Sequence, residues 1–392
     1  MEKRLKDVWL LNFSTFFFFL GISVVNPIIS PFAITLHATP FMVGLVAGVA
    51  SVVSLLSKPV GGLIGDRGYR FHALFFGNVL GAIAGLLYVV SAVTGNLTLF
   101  AFSRGIHGFA MGLFFPSSLS TAVDLAPAGR VGETLGWRGM MFSLGNIIGP
   151  ALGGYLSDVL GFVGAFSFTV AFSIIGAFLV IPVWMGEKGA IPSRGTSREK
   201  VSYSELLRVC FVAASLALFF FSFSYAGVIT YLPALYKVLG MPQSLFGFYM
   251  MVIGVSSFIM RLIGGKAADR MGPVPVIRAG ILLVITGYLL LILHKLPPYS
   301  YVSAFVIGAG FGLAVPAMQL MALGNLPGEI RTMGSSVYTM FFDLGMLSGQ
   351  ITLGYVAELR GYAGVFPLLP VIATVALIMG HLPLMVGKRN EG

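Results

Sequence analysis

A few polar residues stand inside stretches of sequence that are otherwise apolar, and their types suit the handling of protons or ions. Asp343 interrupts Met340-Phe-Phe-Asp343-Leu-Gly-Met. Arg104 and His107 lie three residues apart, one helical turn, in Arg104-Gly-Ile-His107-Gly. A charged side chain near the centre of a bilayer costs roughly 2.5–3.5 kcal/mol on insertion scales. A carboxylate at Asp343 therefore has to face an interior or a cavity, hold a partner, or carry a proton. Proton coupling or binding of a substrate cation is one use of it; a structural ion pair or a hydrogen bond to a neighbouring span is the other. Arg104 either reaches for an interface and ties its span to backbone carbonyls, or tunes a nearby acid or meets an anion. His107 suits a proton relay, since imidazole ordinarily titrates near neutral pH; a hydrogen-bonded packing histidine is the simpler reading.

Other candidates are less pointed. Asp66-Arg67 and Asp269-Arg270 sit at span ends; an acid near a helix amino end is favoured by the helix dipole, and an adjacent Arg can hold a carboxylate. Their duplication favours a gating clamp over plain topology charge. Gly145, Gly149, Gly153 and Gly154 fall on or beside one helical stripe, and Pro150 within it removes one backbone bond. Small residues at such spacing let helices approach closely, here read as a sealed contact between spans five and eight. Asn26, Asn146, Tyr225, Tyr231 and Gln319 are in-span polar residues that either face a substrate cavity or bond one helix to another. Arg138 is expected to snorkel to an interface. The clusters Phe16–Phe19 and Phe219–Phe221 are expected to meet lipid.

The elements that position these residues are membrane spans. Only 10% of the 392 residues are charged, 57% are hydrophobic, and 51 are glycine; mean hydropathy is +0.94. A soluble domain carries about 25% charged residues. Twelve segments reach the roughly 20 apolar residues that a spanning helix needs. They lie at about 9–31, 40–60, 73–94, 97–122, 134–156, 163–185, 209–233, 244–264, 276–294, 299–322, 334–356 and 363–385, with edges good to about 2–4 residues. The first follows Lys3, Arg4 and Lys6 but is too long for a signal peptide and lacks a cleavage site, so it reads as a retained span. The predicted fold class is an all-α membrane protein of two six-helix bundles. Residues 1–185 form the first, 186–204 a linker, and 205–392 the second.

Nearly all of the 24 Lys and Arg residues fall at the amino end, in alternate loops, in the linker and at the carboxyl end. Lys237, Lys295 and Arg360 fall on the opposite side, and Arg104 within a span. The positive-inside rule then puts both termini in the cytoplasm of a multi-pass protein of the cytoplasmic membrane. The net charge of +10 is thereby a topology signal, and nucleic acid is not an expected partner. One cysteine, Cys210, excludes an intrachain disulfide and a multi-cysteine metal site.

The two halves repeat at an offset near 200. Gly108, Gly112 and Pro116 match Gly308, Gly312 and Pro316. Gly145, Gly149, Gly154, Tyr155 and Gly161 match Gly345, Gly349, Gly354, Tyr355 and Gly361. Duplicated bundles of this kind support alternating access by rocking about a midplane site. Polar positions that break the repeat are the better functional candidates: Asp343 faces Ser143, Arg104 faces Ala304, His107 faces Ile307 and Arg138 faces Tyr338.

At this point the motifs resemble a known family. Gly61-Gly-Leu-Ile-Gly65-Asp66-Arg67-Gly-Tyr-Arg70, with its second copy Gly264-Gly-Lys-Ala-Ala-Asp269-Arg270-Met-Gly272, resembles the loop between spans two and three of the major facilitator superfamily. Arg104-Gly-Ile-His-Gly-Phe-Ala-Met-Gly112 resembles its span-four pattern, and Pro127-x-x-Arg130, after Asp124, the turn that follows. Gly145-x-x-x-Gly149-Pro150-x-x-Gly153-Gly154 resembles the span-five pattern of its drug/proton antiporters. His107 stands where that family often has Gln, and Gln350 where the second repeat would carry Pro. The resemblance implies gating roles for Gly65, Asp66, Arg67, Arg70, Asp124, Arg130, Asp269 and Arg270. It also supports electrostatic control of a nearby acid by Arg104, while the proton-coupling roles of His107 and Asp343 rest on the residues themselves.

The expected function is proton-coupled efflux of small amphipathic compounds by a monomer in the lipid bilayer, with a proton gradient as energy source and no cofactor or metal. The alternatives are uptake or export of a sugar or anionic metabolite, with Arg104 reading the substrate, or a transport-derived receptor. No zinc-protease, nucleophile-elbow or P-loop motif is present, so an enzyme or an ATP-driven pump is not expected.

Overall fold

A computed structural model of the chain describes residues 2–64, 69–127, 130–186, 206–324, 326 and 328–387. Only helices occur among the described residues. That is what lipid demands, because a single helix satisfies its own backbone hydrogen bonds. In chain order they are α1 (Glu2–Val25), a 3-10 turn (Asn26–Ile28), α2 (Ile29–Thr35), α3 (Pro40–Ile64), α4 (Arg70–Thr94), α5 (Leu97–Leu125), α6 (Val131–Gly186), α7 (Val209–Val238), α8 (Gln243–Met271), α9 (Pro273–Leu293), α10 (Ser300–Leu323), α11 (Gly328–Arg360), a second 3-10 turn (Tyr362–Val365) and α12 (Leu368–Gly387).

Two details refine the picture of twelve separate rods. The first span is broken, because Pro27 in the 3-10 turn cannot donate a backbone hydrogen bond. Spans five and six, both within α6, are two helices that meet without a loop at Gly161, with φ 70° and ψ 178°. Its repeat partner Gly361 takes nearly the same conformation, φ 71° and ψ 167°, ahead of the second 3-10 turn. This left-handed region strains any residue with a Cβ, so the duplicated glycine marks a duplicated corner. By length and composition ten helices can cross a membrane when α1 and α2 count together and α6 counts once. The corner at Gly161 divides α6 in two, and α11, 33 residues long and carrying the eleventh predicted span, is long enough to cross but is not among these ten. The segment read as the linker, 186–204, lies outside the described residues apart from Gly186.

The described residues form two compact units. One takes in those of Met1–Ala38, Val46–Thr196 and Tyr236–Met251, and the other those of Thr39–Leu45, Ser197–Leu235 and Val252–Gly392. Thus α3 starts in the second unit and continues in the first, while α8 does the reverse. Within the first unit α1 packs along α6, and α4 packs against α5 and α6. Within the second, α9 packs against α10 and α12.

The phenylalanine clusters do not simply face lipid. Phe18 and Phe19 are buried, Phe18 stacks on Phe114 at 3.8 Å between centroids, and Phe19 meets Phe142 edge-on at 4.5 Å. Phe221 is buried against Phe311. Consecutive residues on a helix turn by about 100° each, so a run of four must send some rings inward. Lipid is met instead by residues such as Leu56, Val93, Phe178, Leu293 and Val371, which are exposed and apolar.

The glycine stripe of α6 also differs from its expected partner. Gly145, Gly149 and Gly153 all face α1, and only Gly154 faces α8, where a Cβ would stand 2.7 Å from the Gln243 carbonyl. The second repeat does the same: Gly345 and Gly349 face α7. The stripe is therefore mainly a seam inside one bundle. A Cβ at Gly153 would overlap the Val24 carbonyl, whereas one at Gly136 on the same helix meets nothing. Gly153→Ala is expected to lose roughly 1–3 kcal/mol by overpacking. Gly136→Ala is expected to be neutral or to gain about 0.5 kcal/mol. Thermal melts of the purified protein in one detergent check both; equal midpoints for the two variants would contradict the seam.

Candidate functional site

Asp343 lies near the middle of α11 and is half-buried. Along α6 its repeat partner Ser143 is also half-buried. The carboxylate thus occupies a position that the other repeat fills with a small hydroxyl, and it is the acid set deepest in a span among the described residues.

Arg104 and His107 form one buried cluster on α5. The Tyr88 hydroxyl of α4 lies 2.9 Å from His107 Nδ1. The Arg104 guanidinium sits beside the same hydroxyl and donates to the Ala47 carbonyl of α3 at 3.3 Å. His107 Nε2 and Arg104 Nε have no hydrogen-bond partner in the structure. Of the readings open to Arg104, the tie to a backbone carbonyl is the one seen. Tyr88 went unnoticed in the sequence because its repeat partner, Tyr288, is the same residue type, which hid it from a search for broken symmetry. Tyr288 bonds a different group, the Ser224 hydroxyl, at 3.1 Å.

The residues read as substrate contacts divide. Tyr231 is fully buried and its hydroxyl donates to the Gln350 carbonyl, a bond between α7 and α11. Asn146 accepts from the Ser23 hydroxyl at 2.8 Å and donates to the Phe142 carbonyl at 2.8 Å, so its amide is engaged with α1 and its own helix. Both act as helix-to-helix bonds here. Asn26 and Tyr225 are half-buried, Tyr225 beside the Phe311 ring, and Gln319 is exposed.

Among the gating candidates, Gly65, Asp66 and Arg67 lie outside the described residues. Arg70, at the start of α4, is buried and pairs with Asp124 near the end of α5. Arg130 forms a two-pronged, exposed pair with Glu133, at 2.7 and 3.0 Å. Asp269 and Arg270 are exposed at the end of α8. Arg138, expected to snorkel, is instead 5% exposed. It donates to the Ser118 hydroxyl at 2.6 Å and lies 4.9 Å over the Phe115 ring. The α5 residues facing it give the guanidinium a polar partner inside the bundle, so it has no need of the interface.

Two acids that drew no notice in the sequence hold helix ends. Asp158 of α6 accepts from the Gln243 and Ser244 backbone N–H groups at 2.8 Å each, at the start of α8. Glu358 of α11 accepts from the Phe41 N–H at 2.9 Å, at the start of α3. Their spacing of 200 residues was the available signal. No group of three or more potential metal ligands occurs among the described residues.

This architecture has close counterparts. The profile of the Major Facilitator Superfamily matches residues 11–350 and, in a second copy, 215–389. An uncharacterized MFS-type transporter of Methanocaldococcus jannaschii is 26% identical over 97% of this chain and 98% of its own length. The quinolone resistance protein NorA of Staphylococcus aureus is 25% identical over 39% of each chain. A bacterial homolog of the human lysosomal transporter Spinster, in an inward-facing and occupied conformation, shares the fold with a TM-score of 0.79 at 15% identity, covering 97% of this chain and 96% of that one. Profile, full-length relative and fold agree with the repeat and the motifs: this multi-pass membrane protein belongs to the Major Facilitator Superfamily and is one of its transporters.

Proposed function

We propose that the protein is a proton-coupled exporter of small amphipathic compounds. It would work by alternating access in the cytoplasmic membrane, with both termini in the cytoplasm. The observation that carries this reading is Asp343, a half-buried carboxylate midway along a spanning helix where the other repeat has Ser143. An acid at that depth has to face an interior or a cavity, hold a partner or carry a proton, and each of these makes its charge sensitive to its surroundings. Binding and release of a proton there would couple its charge to the state of the transporter. The likeness to NorA, a quinolone resistance protein, supports export of drug-like compounds, and it covers 39% of the chain. The tie of Arg104 to the Ala47 carbonyl and to the Tyr88–His107 pair supports a scaffold role for this arginine, which weakens the reading in which it binds an anionic metabolite.

In inside-out vesicles under an imposed proton gradient, the native protein is expected to accumulate a dye cation and Asp343→Asn to lose the gradient-driven part. Uphill transport by the variant with unchanged proton stoichiometry would refute the coupling role. No transport of dye by the native protein would turn attention to sugars and anionic metabolites. Orientation has its own check. Cys210, exposed at the start of α7, is expected to react with a membrane-impermeant thiol reagent in inside-out vesicles and to stay unlabelled in intact cells; labelling only in cells would invert the topology. The Arg70–Asp124 pair is read as part of the cytoplasmic gate's support. Asp124→Ala leaves a buried guanidinium without its carboxylate and is expected to cost about 2 kcal/mol. Adding Arg70→Met is expected to recover most of that loss, as read from a double-mutant cycle of thermal stabilities.

A further inference from the structure

Residues 39–45 and 236–251 are the two stretches that pack in the unit opposite to the rest of their repeat. Each contains the beginning of a helix, α3 at Pro40 and α8 at Gln243. A helix beginning leaves backbone N–H groups with no partner in the helix itself, and carries a partial positive charge. In both places a carboxylate from a different helix, far away in sequence, accepts from groups of this kind. Asp158 takes the Gln243 and Ser244 N–H groups, and Glu358 takes the Phe41 N–H.

The two caps are one device used twice. Asp158 and Glu358 are 200 residues apart, and Phe41 and Ser244 are 203 apart, as are Asp66 and Asp269. The packing beneath them repeats as well. Gly154 lies against Gln243 and Ser244, and Gly247 against the Pro150 carbonyl. Gly354 lies against Phe41, and Gly44 against the Gln350 carbonyl. The start of α5 is served locally, Asn96 accepting from Leu99 three residues on, whereas the start of α3 has both a local acceptor, the Thr39 hydroxyl for Met42, and Glu358 for Phe41. A local cap travels with its helix, whereas a cap supplied by another helix holds only while the two stay together. Both carboxylates belong to exposed residues, so water can replace them once the contact parts.

We infer that Asp158 and Glu358 are a matched pair of latches that hold the starts of α8 and α3 in one transport state and let go in the other. The inference rests on the alternating-access reading, and it assigns to these acids a positioning role that no motif of the sequence marks. Parting of these helices has to exchange three charge-assisted hydrogen bonds for water, and removal of the carboxylates therefore favours the parted state.

The test uses the full chain in lipid nanodiscs with Cys210→Ser, Val93→Cys and Leu293→Cys. Spin labels then sit at the exposed, repeat-related ends of α4 and α9, whose separation is read by pulsed dipolar spectroscopy. Asp158→Ala is expected to raise the ratio of long-distance to short-distance populations about tenfold. Glu358→Ala, with a single bond to lose, is expected to raise it about fivefold, and the double variant to multiply the two. Asp158→Asn keeps an acceptor oxygen without the charge and is expected to fall between parent and Ala, which also serves if Asp158→Ala does not fold. Ser157→Ala, on the same turn with only a local bond to the Gly154 carbonyl, is expected to leave the ratio unchanged. Ala variants whose distance distributions overlay the parent's overturn the latch. A lower melting temperature with unshifted distances overturns it too, since the acids are then static caps. Distances that respond in a protein that moves no dye keep the latch and remove the export reading.

Discussion

A peptide N–H or C=O cannot be left unpaired in hydrocarbon, and the rest of this structure depends on that constraint. It requires every spanning segment to be a helix and confines irregular backbone to places where another group can serve it. The break at Asn26–Ile28 is tolerated because proline brings no N–H to be satisfied. The corners at Gly161 and Gly361 need a residue without a Cβ. The helix beginnings are where the constraint is least easily met, and there the chain places Asn96, Thr39, Asp158 and Glu358.

Between helices the hydrophobic effect offers little, because lipid tails are as apolar as the side chains they would replace. Close approach takes over. In the first repeat α6 lies against α1 along Gly145, Gly149 and Gly153, and in the second α11 lies against α7 along Gly345 and Gly349. Polar ties then fix these contacts: Ser23 to Asn146 in one, Tyr231 to the Gln350 carbonyl in the other. The functional candidates are embedded in this scaffold. Arg104 and His107 are held by Ala47 and Tyr88, and Arg138 by Ser118 and Phe115.

Much of the fold was legible in the sequence because it depends on quantities that sum along a segment. Apolar length sets the spans, basic residues mark alternate loops, and the offset of 200 exposes the duplication. Asymmetry between repeats singled out Asp343, Arg104 and His107 as candidates, and two of these, Arg104 and His107, lie in one buried cluster. What stayed hidden depends on direction around a helix axis. Nothing in the run Phe16–Phe19 says which rings turn inward, and nothing in the stripe of α6 says whether α1 or α8 lies against it. A hydroxyl such as that of Tyr231 reads alike whether it faces a cavity or a carbonyl. Asp158 and Glu358 were passed over for another reason. They satisfy the repeat, and residues that satisfy it carry no asymmetry to mark them.

Pro150 has a consequence for the stiffness of the two bundles. It stands within α6 beside the seam with α1, while the equivalent residue of α11 is Gln350. Without an N–H at position 150, the carbonyl of Asn146 loses the bond that would close that turn. Asn146 is also the residue whose side chain grips Ser23. The first repeat thus has a compliant joint at the point where it is tied to its neighbour, and the second keeps an unbroken rod. Two helices of common ancestry thus differ by one backbone bond at equivalent positions, and α6 is the one with less resistance to bending there.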